Sequence, residues 1–100
     1  MMLLTKAIEK QLPALYSTEK VEMADKVAVC KFFHPMSNMT WYAIEYDPTD
    51  RIFFGWVVGI EKEFGNFSLD EMQGVKVRGL GIERDRGFRP TKVSDLPEWE

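Results

Sequence analysis

The sequence predicts an α+β domain, with an N-terminal helix and a short second helix packed on an antiparallel sheet of about four strands. Three observations carry that expectation. Ile52, Phe54, Trp56, Val58 and Ile60 occupy every second position, which in an extended chain sends them all to one face. Ser68 precedes Glu71 by three residues, so hydroxyl and carboxylate can satisfy each other's backbone donors as a capping box, with Phe67 and Met72 placed to staple the helix start. Leu4, Ile8, Leu12 and Leu15 recur at helical spacing behind Thr5, a good N-cap.

In chain order, residues 6–12 read as an amphipathic helix that Pro13 ends, because a proline disfavours helical geometry in the residue before it. Leu15 and Tyr16 are expected to plug the core as the chain leaves. Ser17 to Lys26 reads as a polar loop anchored by Val21 and Met23. Val27 to Phe33 is β-rich, apolar at both parities apart from Lys31, and closed by His34-Pro35. Thr40 to Tyr46 forms the next strand, with Tyr42, Ile44 and Tyr46 on one face and Trp41, Ala43 and Glu45 on the other. Asp47-Pro48-Thr49-Asp50 is a turn. The long strand runs from Ile52 to about Ile60 and continues, bent or bulged, toward Phe64, so that three successive strands make an antiparallel meander. The tail, punctuated by Gly74, Gly79, Gly81 and Gly87, is expected to add a short strand around Val75–Val77 or Ile82–Arg84, then a helical turn from Thr91 to Leu96 before Pro97.

Phe53, Gly55, Val57 and Gly59 make the second face of the long strand apolar as well. A strand apolar on both sides wants cover on both sides, and two short helices hardly suffice for two faces. Either the tail folds over the second face or another molecule does, a homodimer being one such cover.

One hundred residues make a single domain spanning 1–100, and 45% apolar with 13% aromatic residues build a core without disulfides or a structural metal. One cysteine excludes an intrachain disulfide, and one Cys with one His leaves too few soft ligands for zinc. No cofactor is expected. The opening MMLLTKAIEK is too short an apolar run for a signal peptide, and no stretch approaches the ~20 apolar residues of a membrane span, so a cytoplasmic protein with no membrane partner is expected. The net charge of −3 is unevenly spread: −4 over residues 1–74, +4 over 75–92 and −3 over the last eight. A basic segment in an acidic chain serves either internal pairing or an anionic partner.

W-Y-x-x-E-Y-D (Trp41 to Asp47), F-F-G-x-V-x-G (Phe53 to Gly59), E-x-E-x-G-x-F-S-L-x-E (Glu61 to Glu71) and G-I-E-R-D-x-x-F-x-P (Gly81 to Pro90) together resemble the bacterial family known as domain of unknown function 2958. The opening L-L-T-K and the later L-P-x-L-Y extend the resemblance over nearly the whole chain, with Asn66 standing where an aromatic is expected and Met72 where leucine is usual. Members of that family tend to sit on plasmids, integrative elements and phages. The resemblance therefore implies an accessory role in a mobile element, and it supplies no catalytic residues.

Candidate chemistry is sparse. Cys30 and His34 as a nucleophile and base would lie roughly 13 Å apart along one strand at ~3.3 Å per residue, beyond hydrogen-bond reach. Glu61 and Glu63 share a parity and, with Glu45 across the ladder, are the carboxylates that could converge on a divalent cation. Ile82-Glu83-Arg84-Asp85-Arg86 is the most unusual polar cluster. Its arginines either grip Glu45, Glu61 or Glu63 and tie the tail across the sheet, or join Arg89 and Lys92 in contacting phosphates while Trp41, Tyr42 or Phe88 stacks on a base. Gly79-Leu80-Gly81 lacks the helix and lysine of a phosphate loop. The binding candidates are thus Arg84, Arg86, Arg89, Lys92, Trp41, Glu45 and Glu63, and no catalytic or metal-ligating residue is assigned. The leading expectation is a small accessory protein that binds a host or element-encoded protein, for example blocking a host defence nuclease. Nucleic-acid or nucleotide binding through the basic C-terminal segment is the alternative, and a metal-dependent hydrolase ranks third.

Overall fold

A computed structural model describes residues 2–99 of the chain; Met1 and Glu100 lie outside the described residues. The chain is α+β. Helix α1 (Lys6–Glu9) is followed by β1 (Val27–Ala28), β2 (Cys30–Phe33), β3 (Thr40–Asp47), β4 (Ile52–Val58), β5 (Lys62–Ser68), α2 (Leu69–Gly74), β6 (Glu83–Arg84) and β7 (Thr91–Lys92). Strands β2 to β5 form the antiparallel meander, and β6 adds to the outer edge of β2, giving the order β5-β4-β3-β2-β6. Strands β1 and β7 make a separate antiparallel pair.

Both helices begin where their caps predict. Thr5 Oγ1 accepts the Ile8 amide at 3.2 Å, and Ser68 Oγ accepts the Glu71 amide at 3.1 Å. The first helix is shorter than its apolar spacing suggests, because Gln11 and Leu12 donate to Ile8 and Glu9, three residues back, and the chain tightens before Pro13. Three further expectations are corrected. Val29 breaks the Val27–Phe33 run, so its two halves pair in different sheets. The long strand does not bend onward to Phe64; it reverses through Gly59–Glu61, where the Gly59 amide donates to the Glu61 carbonyl at 2.9 Å, and Ile60 stands 97% exposed at the tip. The sheet consequently holds five strands.

The third correction matters most. The β3–β4 register runs Trp41↔Val57, Tyr42↔Trp56, Ala43↔Gly55, then Glu45↔Phe54, Tyr46↔Phe53, Asp47↔Ile52. Ile44 is the extra residue of a β-bulge, and beyond it every side chain changes face. Tyr46 therefore joins Ala43, Phe53, Phe32 and Leu69 in one core, while Tyr42, Ile44, Trp56 and Val58 build a second core on the other side. The N-terminal residues and α2 cover the first face; Val93, Leu96, Phe88 and Trp99 of the tail cover the second. The doubly apolar strand is thus covered on both sides by its own chain, but not as expected: the face of Phe53, left above to the tail or a homodimer, meets the N-terminal residues and α2, and the tail covers the face of Phe54, Trp56 and Val58.

Gly55 sits beside the bulge at the tightest point of the ladder. A Cβ there would lie 1.9 Å from the Tyr42 carbonyl oxygen and 3.1 Å from the Phe67 ring. Backbone on one side and a stacked ring on the other leave no room to yield. Gly65, directly opposite on β5, has nothing within 4 Å of its would-be Cβ. Gly55→Ala is expected to destabilise the fold by at least about 3 kcal/mol, whereas Gly65→Thr should leave it unchanged or up to about 1 kcal/mol more stable on an open strand face. Urea denaturation of the two variants checks this, and equal midpoints would refute the packing described.

Candidate functional site

The bulge points Glu45 into the second layer, where it is 3% exposed. Its carboxylate captures the segment that leaves the first helix. The Tyr16 amide donates to Oε1 at 2.7 Å, and the Thr18 amide donates to Oε2 at 3.1 Å. The Thr18 hydroxyl also donates to Oε2 and in turn accepts from Lys26 Nζ at 2.8 Å; the same ammonium donates to the Thr18 carbonyl. Lys26 is 4% exposed, and its ammonium lies 5.8 Å from the centroid of the Phe54 ring. Buried ions are costly unless their lone pairs and protons are taken up, and here Thr18 relays between acid and base. Tyr16 adopts a left-handed backbone (φ 69°), which turns its amide toward Glu45 and its ring outward.

Residues 13–27 are pinned at both ends as well. The Pro13 carbonyl accepts the Tyr46 amide at 2.9 Å, the Lys26 carbonyl accepts the Val93 amide at 2.8 Å, and Asp25 pairs with Lys92 at 3.3 Å. Among the polar side chains this anchored segment presents to solvent stand four apolar ones: Tyr16 is 63%, Val21 41%, Met23 45% and Val27 42% exposed. Tyr16 and Met23, expected above to face inward, do the opposite, as does Val21. Two apolar hollows adjoin them. One of about 370 Å³ is floored by Val29 and Ile44 and walled by Val21, Val27 and Pro90; another of about 300 Å³ lies between Tyr16, Met23 and Phe54. Exposed Glu19 and Glu22 carry carboxylates on the same segment.

The residues expected to bind do not gather into one site. Glu63, Val57, Trp41, Phe32 and Arg84 are successive partners in one row across the sheet. Glu63 therefore stands on one edge strand and Arg84 on the other, roughly 19 Å apart at ~4.8 Å per strand, with Trp41 half-buried against the first core between them. Glu45 lies on the opposite face from Glu63, so Glu45, Glu61 and Glu63 do not converge. Among the described residues no group of three or more His, Cys, Asp or Glu side chains is placed to hold a metal ion. Arg84 grips none of those carboxylates; its guanidinium donates to the Met2 and Leu3 carbonyls at 2.5 and 2.8 Å and ties the N-terminus to β6. Lys92 is spent on Asp25. Only Arg86 and Arg89 of the basic set remain exposed without an ion-pair partner among the described residues.

Cys30 and His34 are structural. His34 is buried and uses both ring nitrogens on backbone: Nε2 donates to the Leu80 carbonyl at 3.1 Å, and Nδ1 accepts the Met36 amide at 3.0 Å. It thereby clamps the β2–β3 turn to a tight hairpin at Val77–Leu80, whose corner residues Arg78 and Gly79 have φ 54° and 80°. Burial pushes the Cys30 thiol up to about 12, with Arg84 opposing weakly, so the nucleophilic thiolate is not populated at neutral pH. Burial, reinforced by the hydrogen bond to Glu98, likewise raises Tyr42.

A family model described as Protein of unknown function (DUF2958) matches residues 3–99, nearly the whole chain. No curated protein and no solved structure matches it. Among the described residues no helix is long and apolar enough to cross a membrane.

Two outcomes test this geometry. Glu45→Ala strands the Lys26 charge in the second layer and should cost about 3–5 kcal/mol, while Glu45→Leu with Lys26→Met should cost less than Glu45→Ala alone; urea denaturation and hydrogen exchange at the Tyr16 and Thr18 amides report both, and additive losses would break the proposed linkage. The raised Cys30 thiol means that the folded chain holds its proton while the unfolded chain releases it. Stability is therefore expected to fall as pH rises from about 9 toward 12, less steeply in Cys30→Ala, and a thiol reagent at pH 8 should label Cys30 only after unfolding.

Proposed function

We propose that this chain, which belongs to the family described as Protein of unknown function (DUF2958), acts by binding another protein through the outer surface of residues 16–27. The observation that carries the reading is the combination of exposure and anchorage at that segment. Single exposed apolar side chains need no explanation. Here Tyr16, Val21, Met23 and Val27 crowd into one short stretch, beside two apolar hollows, on backbone held by a buried carboxylate. A preorganised segment loses little conformational freedom on association, which is where much of the cost of binding arises. Tyrosine and methionine are both enriched at protein interfaces.

The chemistry of the rim suggests the kind of partner. Glu19 and Glu22, with Lys20 between them, leave net negative charge beside the apolar anchors, and the chain as a whole carries −3. Such a surface is complementary to a basic one, and like charge would reject acidic partners. A nuclease presents a basic surface to its nucleic acid. In the mobile-element setting that the family resemblance implies, covering that surface would protect the element from a host defence nuclease, and this is the specific role we assign.

A photo-crosslinking residue at position 23 should trap one discrete partner in bacterial cells carrying the gene, and the same residue at Asp50, in the β3–β4 turn, should not. Tyr16→Asp should remove the adduct without altering the melting temperature, because Tyr16 makes its structural bond through the backbone amide. With the partner purified, Tyr16→Asp with Met23→Asp is expected to weaken binding by about 30-fold or more, the range of central interface anchors. The reading fails if position 23 yields no adduct, or one that position 50 yields equally.

A further inference from the structure

We propose that the hollow between the first helix and residues 84–90 binds a small phosphorylated anion of nucleotide size through Arg86 and Arg89. The backbone there rolls around the β2 edge of the sheet. The Asp85 amide donates to the Lys31 carbonyl at 2.9 Å, the Gly87 amide donates to Asp85 Oδ1 at 2.9 Å, and Phe88 lands on Tyr42 with ring centroids 5.7 Å apart. This turn brings Arg84, Arg86 and Arg89 to one hollow of about 580 Å³, floored by Val29 and Cys30 and bordered by Gln11. A hollow of that size lies within the ~300–1,000 Å³ usual for small-ligand sites.

Three features favour an anion. Among the described residues Asp85 is the one acidic residue of the lining, against three arginines, so the hollow is a positive focus in a chain of net charge −3. Asp85 Oδ1 is engaged by the Gly87 amide, and Arg86 and Arg89 have no ion-pair partner among the described residues. The floor is buried and apolar, which strengthens charge–charge attraction above it. Guanidinium forks match the geometry of phosphate oxygens in two-point contact. Arg84, held on the Met2 and Leu3 carbonyls, adds a positioned charge at the wall. A long polyanion is disfavoured, because the chain as a whole carries −3. Arg84, Arg86 and Arg89 do not line the apolar hollows of the proposed protein-docking surface, which meets this one only at Gln11, Val29 and Pro90.

Isothermal calorimetry and thermal shift on the full chain at low ionic strength, with inorganic phosphate, pyrophosphate and ATP as probes, test the site. ATP or pyrophosphate should bind and raise the melting temperature, and the affinity should fall as salt rises. Arg86→Ala with Arg89→Ala should weaken binding by about tenfold or more, since two charge-assisted contacts are lost. Lys20→Ala with Lys76→Ala removes equal charge from exposed positions outside the hollow and should change little. Both double variants should fold, all four side chains being exposed. Failure of all three probes to bind overturns the site, as does equal weakening in the lysine control. Tighter binding of a twelve-nucleotide single strand than of ATP overturns it too, by making the ligand a polymer.

Discussion

The two-core architecture depends on one extra residue. Without the bulge at Ile44, Tyr46 would stay on the face of Tyr42 and Glu45 on the face of Ala43, following simple alternation. With it, Tyr46 packs tilted on Phe53 at a centroid separation of 4.7 Å in the first core, and Glu45 reaches the second layer to hold residues 16 and 18. Gly55 is the complement of that bulge. The ladder closes so tightly across Ala43 that the partner position has no space for a methyl group. In this chain Trp41 to Asp47 followed by Phe53-Phe54-Gly55 thus marks one structural device: a bulged strand, a carboxylate turned by the bulge, and the glycine that lets the neighbouring strand pass.

A sheet apolar on both faces sets the second constraint, and the unequal charge along the chain follows from how it is met. Two short helices cover the first face only. The tail must cross the sheet edge to cover the second, and the crossing segment, lying at the rim, is the most basic part of the sequence. Its charges are divided by what they meet on the way. Arg84 closes the N-terminal carbonyls against β6, and Lys92 pairs with Asp25 beside the β1–β7 pair. Arg86 and Arg89 stand at the turn itself, where nothing described in the chain neutralises them. Once past the edge, the tail changes character: Val93, Leu96 and Trp99 pack down, with Trp99 edge-on to Trp56 at 5.6 Å.

The elements whose signals are local were legible in the sequence. Thr5 and Ser68 cap helices as their spacing indicates, Asp47–Asp50 turns, and the strand that is apolar on both faces is covered on both. The bulge was not legible, because Thr40 to Tyr46 carries large apolar side chains at both parities and its one charged residue, Glu45, fits either face at a strand end. Ile60 misled for a related reason. It continues the alternation of the strand, yet Gly59 lets the chain reverse there, and periodicity alone does not distinguish a hairpin tip from a further strand residue. The role of Glu45 was out of reach, since its partners are two backbone amides 27 and 29 residues away, contributed by a segment without secondary structure. Arg84 shows the same limit: arginines near glutamates in sequence suggest ion pairs, whereas the fold gives this one backbone carbonyls.

The network of Glu45, Thr18 and Lys26 also weighs on function. Replacing buried ion–polar networks by well-packed apolar groups is often neutral or stabilising, so burial of two charges is poor value as a source of stability alone. What such a network fixes is geometry. Glu45 has two oxygens to fill, Lys26 finds two acceptors on Thr18, and one path of residues 16–18 meets both; an apolar contact would tolerate many paths. The surface fixed in this way carries Tyr16 and Met23, and it shares Gln11, Val29 and Pro90 between the apolar hollow on one side and the arginine hollow on the other. A partner with a basic rim would meet attraction at Glu19 and Glu22 and repulsion at Arg86 and Arg89. An anion on those arginines would remove the repulsion, and thermodynamic reciprocity then requires the docked partner to tighten the anion by the same factor. The common wall places the two surfaces close enough for charge on one to be felt at the other.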